Sequence, residues 1–418
     1  MSAVPASAPT ALHGLRQSWV VIGAGVGAAL HLAKLIPALP VLQEALGLSW
    51  VQAGFLLSTV QLAGMCAGLG VGLVAQRIGL RQSMLNGLVI LALASSMGAM
   101  VHSVHWLLLL RALEGVGFLL VVTPAPGLLR RLLPAQEFGK MLGVWGAYMP
   151  LATALALLIG PFFIQIWGWP ALWCGLGLVS AAQALLVYLG VPSDHSTLEA
   201  DSIAPRQAFV AALTALARLT LTRPGPWLLG GCFAVYSGQW LAVMGFLPSI
   251  YSQSGVAPGH IALLTALVAA GNMVGNIAAG RWLSHGTAPP NLLRWGYGVM
   301  ALATLLAFSD VLALLPEAAN QTLRYLAVLT FSVVGGLVPG TLFYLSVRLA
   351  PSDATVSTTV GWMQQCSALG QFVGPPLVAL MASLAGGWHL TWLVTAVCAA
   401  LGVIFSVGIQ RLLANAQS

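Results

Sequence analysis

Residues 191–226 read VPSDHSTLEADSIAPRQAFVAALTALARLTLTRPGP, the one long polar interruption in an otherwise apolar chain. Asp194, Glu199 and Asp201 lie here, three of the nine acidic residues. Before it come apolar runs at about 19–40, 51–75, 82–101, 106–129, 138–162 and 170–190. After it the pattern resumes at about 227–250, 259–283, 292–315, 323–346, 356–384 and 390–411. Each run has the roughly 20 residues that a helix needs to cross the hydrocarbon core. The expected architecture is an all-α membrane protein of twelve transmembrane helices in two pseudo-symmetric six-helix bundles, residues 19–190 and 227–411. A cytoplasmic linker at 191–226 joins them, and tails at 1–18 and 412–418 flank them. Within the linker, 206–221 is expected to form a short interfacial helix, with Arg206 and Arg218 at the headgroups and Leu213, Leu216 and Leu219 facing inward.

The composition excludes most other classes. Of 418 residues, 59% are hydrophobic and 6% charged, with a mean hydropathy of +0.92; soluble domains are roughly 25% charged. The five cysteines fall in apolar segments without ligand-like spacing, so neither a disulfide framework nor a zinc site is indicated, and no cofactor or metal is expected. Residues 1–18 and the long first run do not read as a targeting segment. The net charge of +7 would suggest nucleic acid in a soluble protein. With the N-terminus placed in the cytoplasm, however, 13 of the 16 basic residues fall in cytoplasmic loops. That is the positive-inside pattern, which puts both termini in the cytoplasm and leaves no continuous basic face for nucleic acid.

The two halves repeat each other. An offset of 208 residues aligns Leu39-Pro40 with Leu247-Pro248, Gly47 with Gly255, Met65 with Met273 and Gly72 with Gly280. An offset of 213 sets Arg111 against Arg324 and Pro126 against Pro339. Two duplicated bundles around a midplane site are the physical basis of alternating access, so a transporter is expected in preference to a channel or a membrane enzyme.

The loop Gly72-Leu73-Val74-Ala75-Gln76-Arg77-Ile78-Gly79-Leu80-Arg81 resembles the signature Gly-x-x-x-Asp-Arg-x-Gly-Arg-Arg of the major facilitator superfamily, with Gln76 in place of the aspartate. Arg111-Ala112-Leu113-Glu114-Gly115-Val116-Gly117 is similar to that family's Arg-x-x-x-Gly-x-Gly element, and Gly160-Pro161 and Gly374-Pro375 to its Gly-Pro elements. Within the family, Leu39-Pro40, Gln239-Trp240…Phe246-Leu247-Pro248 and Gly361-Trp362-Met363-Gln364-Gln365 resemble the cyanate and nitroimidazole permease-like branch. The resemblance implies the major facilitator fold. It also implies a conformational loop containing Gly72, Gln76, Arg77, Gly79 and Arg81, and a role for Arg111 in solute or proton coupling.

Ionisable groups inside a span are costly and are read first as functional. His31 and Lys34 share a face of the first span, and Arg111 and Glu114 share one of the fourth. Lys34 either faces the cleft or reaches toward the interface and Glu44, while Arg111 and Glu114 either pair structurally or exchange partners for a proton. Asp310, near the end of the ninth span, is a further proton-site candidate. Tyr236, Gln239 and Trp240 in span seven, and Trp362 and Gln365 in span eleven, are candidate cleft residues, against an aromatic belt or buried amide contacts. Asn272 and Asn276 suit interhelical hydrogen bonds, and Gly64, Gly68 and Gly72 a close-packing ridge.

A cleft bearing Lys34, Arg111 and His31 against Glu114 alone would attract an anion. The expected function is therefore secondary transport of a small, anionic solute by proton-coupled alternating access, with a proton-driven exporter of amphipathic drugs or metabolites as the alternative. The expected setting is the bacterial cytoplasmic membrane, the expected state a monomer, and the partners a small solute, protons and lipid. No Gly-rich phosphate loop ends in Gly-Lys-Ser/Thr, which excludes ATP hydrolysis on this chain. An enzyme would need His102, His105, His260 or His389 to converge.

Overall fold

The computed structural model describes residues 8–101, 103–134, 137, 141, 144–193, 206–352 and 355–415. His102, Lys140, Glu199 and Asp201 lie outside the described residues, as do the side chains at 72–77, Gln76 and Arg77 among them.

Apolar runs become helices because a backbone in lipid must satisfy its own hydrogen bonds. The first half holds α1 (Ala8–Ala33), α2 (Leu35–Leu46), α3 (Trp50–Ser58), α4 (Leu62–Ile78), α5 (Leu80–Gly98), α6 (Val104–Val122), α7 (Ala125–Leu132) and α8 (Tyr148–Gly190). The linker carries α9 (Arg206–Leu221), at the bounds the sequence suggests. The second half holds α10 (Pro224–Gln253), α11 (Pro258–Ser284), α12 (Pro289–Phe308), α13 (Glu317–Gly335), α14 (Leu337–Arg348), α15 (Val356–Ala385) and α16 (Thr391–Asn415).

Among the described residues, ten helical stretches are long and apolar enough to cross a membrane. One of them, α8, is two helices run together across Gly168, whose φ of 80° and ψ of 164° are non-helical. It therefore covers the run expected at 170–190 and, from Tyr148 on, the run expected at 138–162. Helix α5, the run expected at 82–101, is not among the ten; it carries Arg81, Gln82, Ser83 and Asn86 in its first turns. Outward side chains such as Leu93, Leu178, Leu384 and Ile404 stay exposed, as on a surface that meets lipid.

Prolines place the interruptions. Pro37 has no N–H to donate to the Ala33 carbonyl, and the helix is interrupted at Lys34, between α1 and α2. Pro126 likewise cannot serve Val122, where α6 ends, nor Pro339 serve Gly335, where α13 ends. Helices α6 and α13 begin and end at the same offset of 213 that aligns the two prolines. The offset of 208 matches the starts of α3 and α11, and also the turns at Gly47 and Gly255, with φ of 62° and 76°. Both glycines occupy the left-handed region that a side chain disfavours. The duplication is thus visible in the backbone.

The halves meet where α3 and α4 run along α15, where α8 runs along α11, and where α2 touches α10. Close approach depends on glycine. A Cβ at Gly54 would lie 2.9 Å from the Pro376 Cα, at Gly64 3.0 Å from the Ala368 Cβ, and at Gly68 3.3 Å from the Gln365 Cβ. Gly64 and Gly68 therefore form the expected packing ridge, directed at the other half. Trp50 stacks on Trp388 across the same boundary, with centroids 4.9 Å apart.

Candidate functional site

The break at Lys34 and the i, i+3 spacing of Arg111 and Glu114 bring four ionisable side chains together inside the first half. The Glu114 Oε1 accepts a hydrogen bond from the Lys34 Nζ at 2.5 Å, and its Oε2 accepts one from the Arg111 Nη1 at 2.6 Å. The same Arg111 Nη1 donates to the His31 carbonyl at 2.5 Å. The His31 Nδ1 stands 3.7 Å from the Glu114 Oε1, and its Nε2 is 2.7 Å from the Ser180 Oγ. Lys34 also donates to the Ser95 Oγ at 2.7 Å and lies 4.4 Å above the centre of a Trp173 ring. Ser95 in turn donates to the Trp173 carbonyl.

None of the four is more than 1% exposed. Lys34 therefore neither snorkels nor reaches Glu44, which stays exposed. The cluster is lopsided, since one carboxylate faces two permanent or near-permanent cations. The Arg111 Nε and Nη2 are buried and have no hydrogen-bond partner among the described residues. Removing the one carboxylate from such a site leaves uncompensated buried charge, which costs about 3–5 kcal/mol.

A separate small cavity of about 20 Å³, room for about one water, lies between the halves. Leu32, Ala33 and Ile36 form its wall on the first span, Val60 and Gln61 on the second, and Thr153 on the fifth. Trp240 and Gln371 close it from the second half. Lys34 sits between wall residues in sequence, but its side chain points the other way, into the first bundle. The charged cluster and the cavity share the first span as a partition.

The other candidates separate into three groups. Trp240 lines the cavity and turns its indole N–H away, to the Ser332 Oγ at 3.2 Å. Gln365 bonds across the halves to the Met65 carbonyl at 2.8 Å. Tyr236, Gln239 and Trp362 do not line the cavity. The Tyr236 hydroxyl accepts from Asn272, which also donates to the Ser332 carbonyl, the interhelical role expected for Asn272. Asn276 instead donates back to Asn272 on its own helix. Trp362 packs edge-on against Trp227. Gln239 is 1% exposed, and neither amide atom meets a partner among the described residues. At the offset of 208 it is the counterpart of His31 and Ala242 that of Lys34, while at the offset of 213 Ala327 stands opposite Glu114. The second bundle thus keeps a polar side chain opposite His31 and an arginine, Arg324, opposite Arg111, but has lost the Lys34 and Glu114 charges.

Asp310 lies exposed in a 3-10 turn, Asp310–Leu312, apart from the cluster. Arg324, the counterpart of Arg111, is bound to Asn320 and to the Ser309 carbonyl. In the loop resembling the family signature, Gly79 adopts a φ of 95°, and Arg81 donates to the Tyr188 carbonyl while stacking 5.1 Å from the Tyr188 ring. Gly72 is helical in its backbone. Among the described residues no three His, Cys, Asp or Glu side chains are grouped to hold a metal ion.

Sequence reasoning did not single out Ser95, Ser180 and Trp173, which complete the cluster, or Gln61 and Gln371, which bridge the cavity. Only the last two carried a signal, as amides inside apolar runs.

Comparison with known proteins agrees with this geometry. The family model described as Major Facilitator Superfamily matches residues 18–375. The cyanate transport protein CynX of Escherichia coli (strain K12) is 24% identical over 88% of this chain and 90% of its own length. A chloramphenicol resistance protein of Pseudomonas aeruginosa is 25% identical over 69% of this chain and 67% of its own. Among solved structures, a D-xylose-proton symporter superposes with a TM-score of 0.71 over 93% of this chain and 95% of its own, at 15% identity.

Proposed function

Since the chain belongs to the major facilitator superfamily and is a multi-pass membrane transporter rather than an enzyme, we propose that it moves a small solute through the cavity between its halves, driven by protons taken up at Glu114. The observation that carries this reading is the double grip of Glu114. One carboxylate holds Lys34 at the break in span one and Arg111 on span four, while Leu32, Ala33 and Ile36, close to Lys34 in the chain, form the cavity wall.

Protonation of Glu114 removes the charge that both cations lean on. Lys34 retains Ser95 and the Trp173 ring, and Arg111 retains the His31 carbonyl. The ionic tie between spans one and four weakens where Pro37 already interrupts the helix. A first span released there can reposition its cavity face, and solute bound against that face biases the proton equilibrium in return. Asp310, exposed and remote, has no part in this scheme.

The topology that fits is twelve spans, counting α5 and the two parts of α8, in a bacterial cytoplasmic membrane with both termini inside. A monomer suffices, because the two halves already enclose the cavity. The CynX relative, matched over nearly its full length, favours a small solute; the resistance relative keeps proton-driven export as the second reading.

The test is reconstitution in liposomes with a trapped pH indicator and a clamped membrane potential. Added pools of small anions, uncharged one-ring solutes and lipophilic cations should give protein-dependent acidification for a small solute. Alkalinisation only, and only with the cations, would replace uptake by proton-driven export.

A further inference from the structure

The sequence points to an anionic solute because Lys34, Arg111 and His31 are expected in the cleft. The cavity wall offers none of them, and among the described residues no Lys, Arg, His, Asp or Glu borders it. An ion placed there would give up its hydration without meeting a counter-charge, which is strongly unfavourable. The nearest strong cations lie beyond the first span and are engaged by Glu114.

What the wall does offer is an amide pair. The Gln61 Nε2 donates to the Gln371 Oε1 at 2.8 Å, and the Gln371 Nε2 donates to the Ser367 Oγ at 3.2 Å. Gln61 belongs to the first half and Gln371 to the second, so this bond spans the seam that must open and close. Thr153 is engaged by its own helix through the Met149 carbonyl, and the Trp240 N–H is taken by the Ser332 Oγ. The groups free to recognise a polar solute are therefore the two glutamines, set among leucine, alanine, isoleucine, valine and the Trp240 ring.

Gln61 also ends the 3-10 turn Thr59–Gln61 that interrupts span two. Gly115, next to Glu114, packs against that turn so tightly that a Cβ there would strike the Val60 carbonyl. Through this contact the amide pair adjoins the residue proposed to take up the proton.

We propose that Gln61 and Gln371 form the recognition pair for a small uncharged solute that carries a carboxamide-like edge, with donor and acceptor side by side, admitted as the halves part around a cavity that in this conformation has room for only about one water. Such an edge takes over the bond the glutamines make to each other and connects the two halves through itself. A small acid would enter in its protonated form, whose carboxyl group presents the same edge. This inference rests on the cavity being the solute site of the proposed transporter and specifies what that site accepts.

The test uses three probes of one shape and different charge: benzamide, benzoate and benzylammonium, titrated calorimetrically into the full-length protein in nanodiscs at neutral pH. Benzamide should bind about tenfold more tightly than either ion, a difference of about 1.4 kcal/mol. Gln61→Met and Gln371→Met, confirmed as folded by thermal unfolding, should erase that preference, and Asp310→Asn, remote from the cavity, should keep it. Benzoate or benzylammonium binding as well as benzamide overturns the proposal, as does a preference that survives both methionine variants. Binding by none of the three also overturns the amide class. Proton flux with the solute pools is read independently, so the transport reading stands or falls separately from these outcomes.

Discussion

The Glu114 Oε1 lies 2.5 Å from the Lys34 Nζ, joining the fourth span to the residue at which the first is interrupted. With Arg111 held by the other carboxylate oxygen, a single side chain fixes two helices of one bundle. The arrangement is economical and vulnerable, because among the described residues no second carboxylate stands by to replace it.

Substituting Lys34 should therefore be milder than substituting Glu114. Lys34→Met leaves the Arg111–Glu114 pair neutral overall, whereas Glu114→Gln strands two cations and should cost about 3–5 kcal/mol. A double-mutant cycle in detergent unfolding should give a coupling energy of about 0.5–3 kcal/mol. Additive effects would mean that the two groups do not interact.

The interruption in span one is assigned to Pro37. Pro37→Ala restores a donor for the Ala33 carbonyl and should raise the unfolding temperature or leave it unchanged while slowing solute uptake. Pro37 also packs against Gly160, where an added Cβ would sit 2.8 Å from its Cγ, so the smaller alanine adds no clash there. Uptake at the unaltered rate would show that the break is not used in the cycle.

The contact between spans two and four makes a sharp prediction about glycines. Gly115→Ala would place its methyl group against the Val60 carbonyl, and overpacking of this kind costs about 1–3 kcal/mol. Gly23→Ala, with nothing within 4 Å of the new Cβ, should be neutral or slightly stabilising. Thermal unfolding of the pair distinguishes packing at the turn from a general sensitivity of helix glycines.

Gln239 is the residue at which burial and bonding disagree. A buried amide without a partner costs about 1–3 kcal/mol, so Gln239→Met should stabilise the protein by that order if the position is merely inherited from the His31 counterpart. A stability gain accompanied by intact uptake would separate Gln239 from the solute site, where Gln61 and Gln371 are placed.

These residues mark what was legible in the sequence. The spans, the linker helix and the duplication could be read because lipid allows few alternatives to a long apolar helix, and because the repeated prolines and glycines punctuate the backbone at fixed offsets. His31, Lys34, Arg111 and Glu114 stood out because ionisable groups are rare in such runs, and the structure brings all four together. Which way they face was not legible. Lys34 and Ile36 are two residues apart, yet the first points into the bundle and the second into the cavity, a difference that depends on how span one is rotated by its neighbours. Ser95, Ser180 and Trp173 were missed for a related reason. Hydroxyl and indole groups are common in spans, and only their proximity to a charge gives them a role. Asp310 drew attention by its charge, but lies in a turn that hydropathy alone could not separate from the end of its span.

The central claim is that Glu114 couples solute movement to protons, and one measurement addresses it most directly. Proteoliposomes with wild-type protein and with Glu114→Gln are compared for solute counterflow, which needs no proton gradient, and for solute-driven change of internal pH. The account predicts that Glu114→Gln retains counterflow within about tenfold of wild type and loses the pH response. A variant that still acidifies the vesicle interior in proportion to solute moved would contradict it, and would leave the buried cluster with a structural role only.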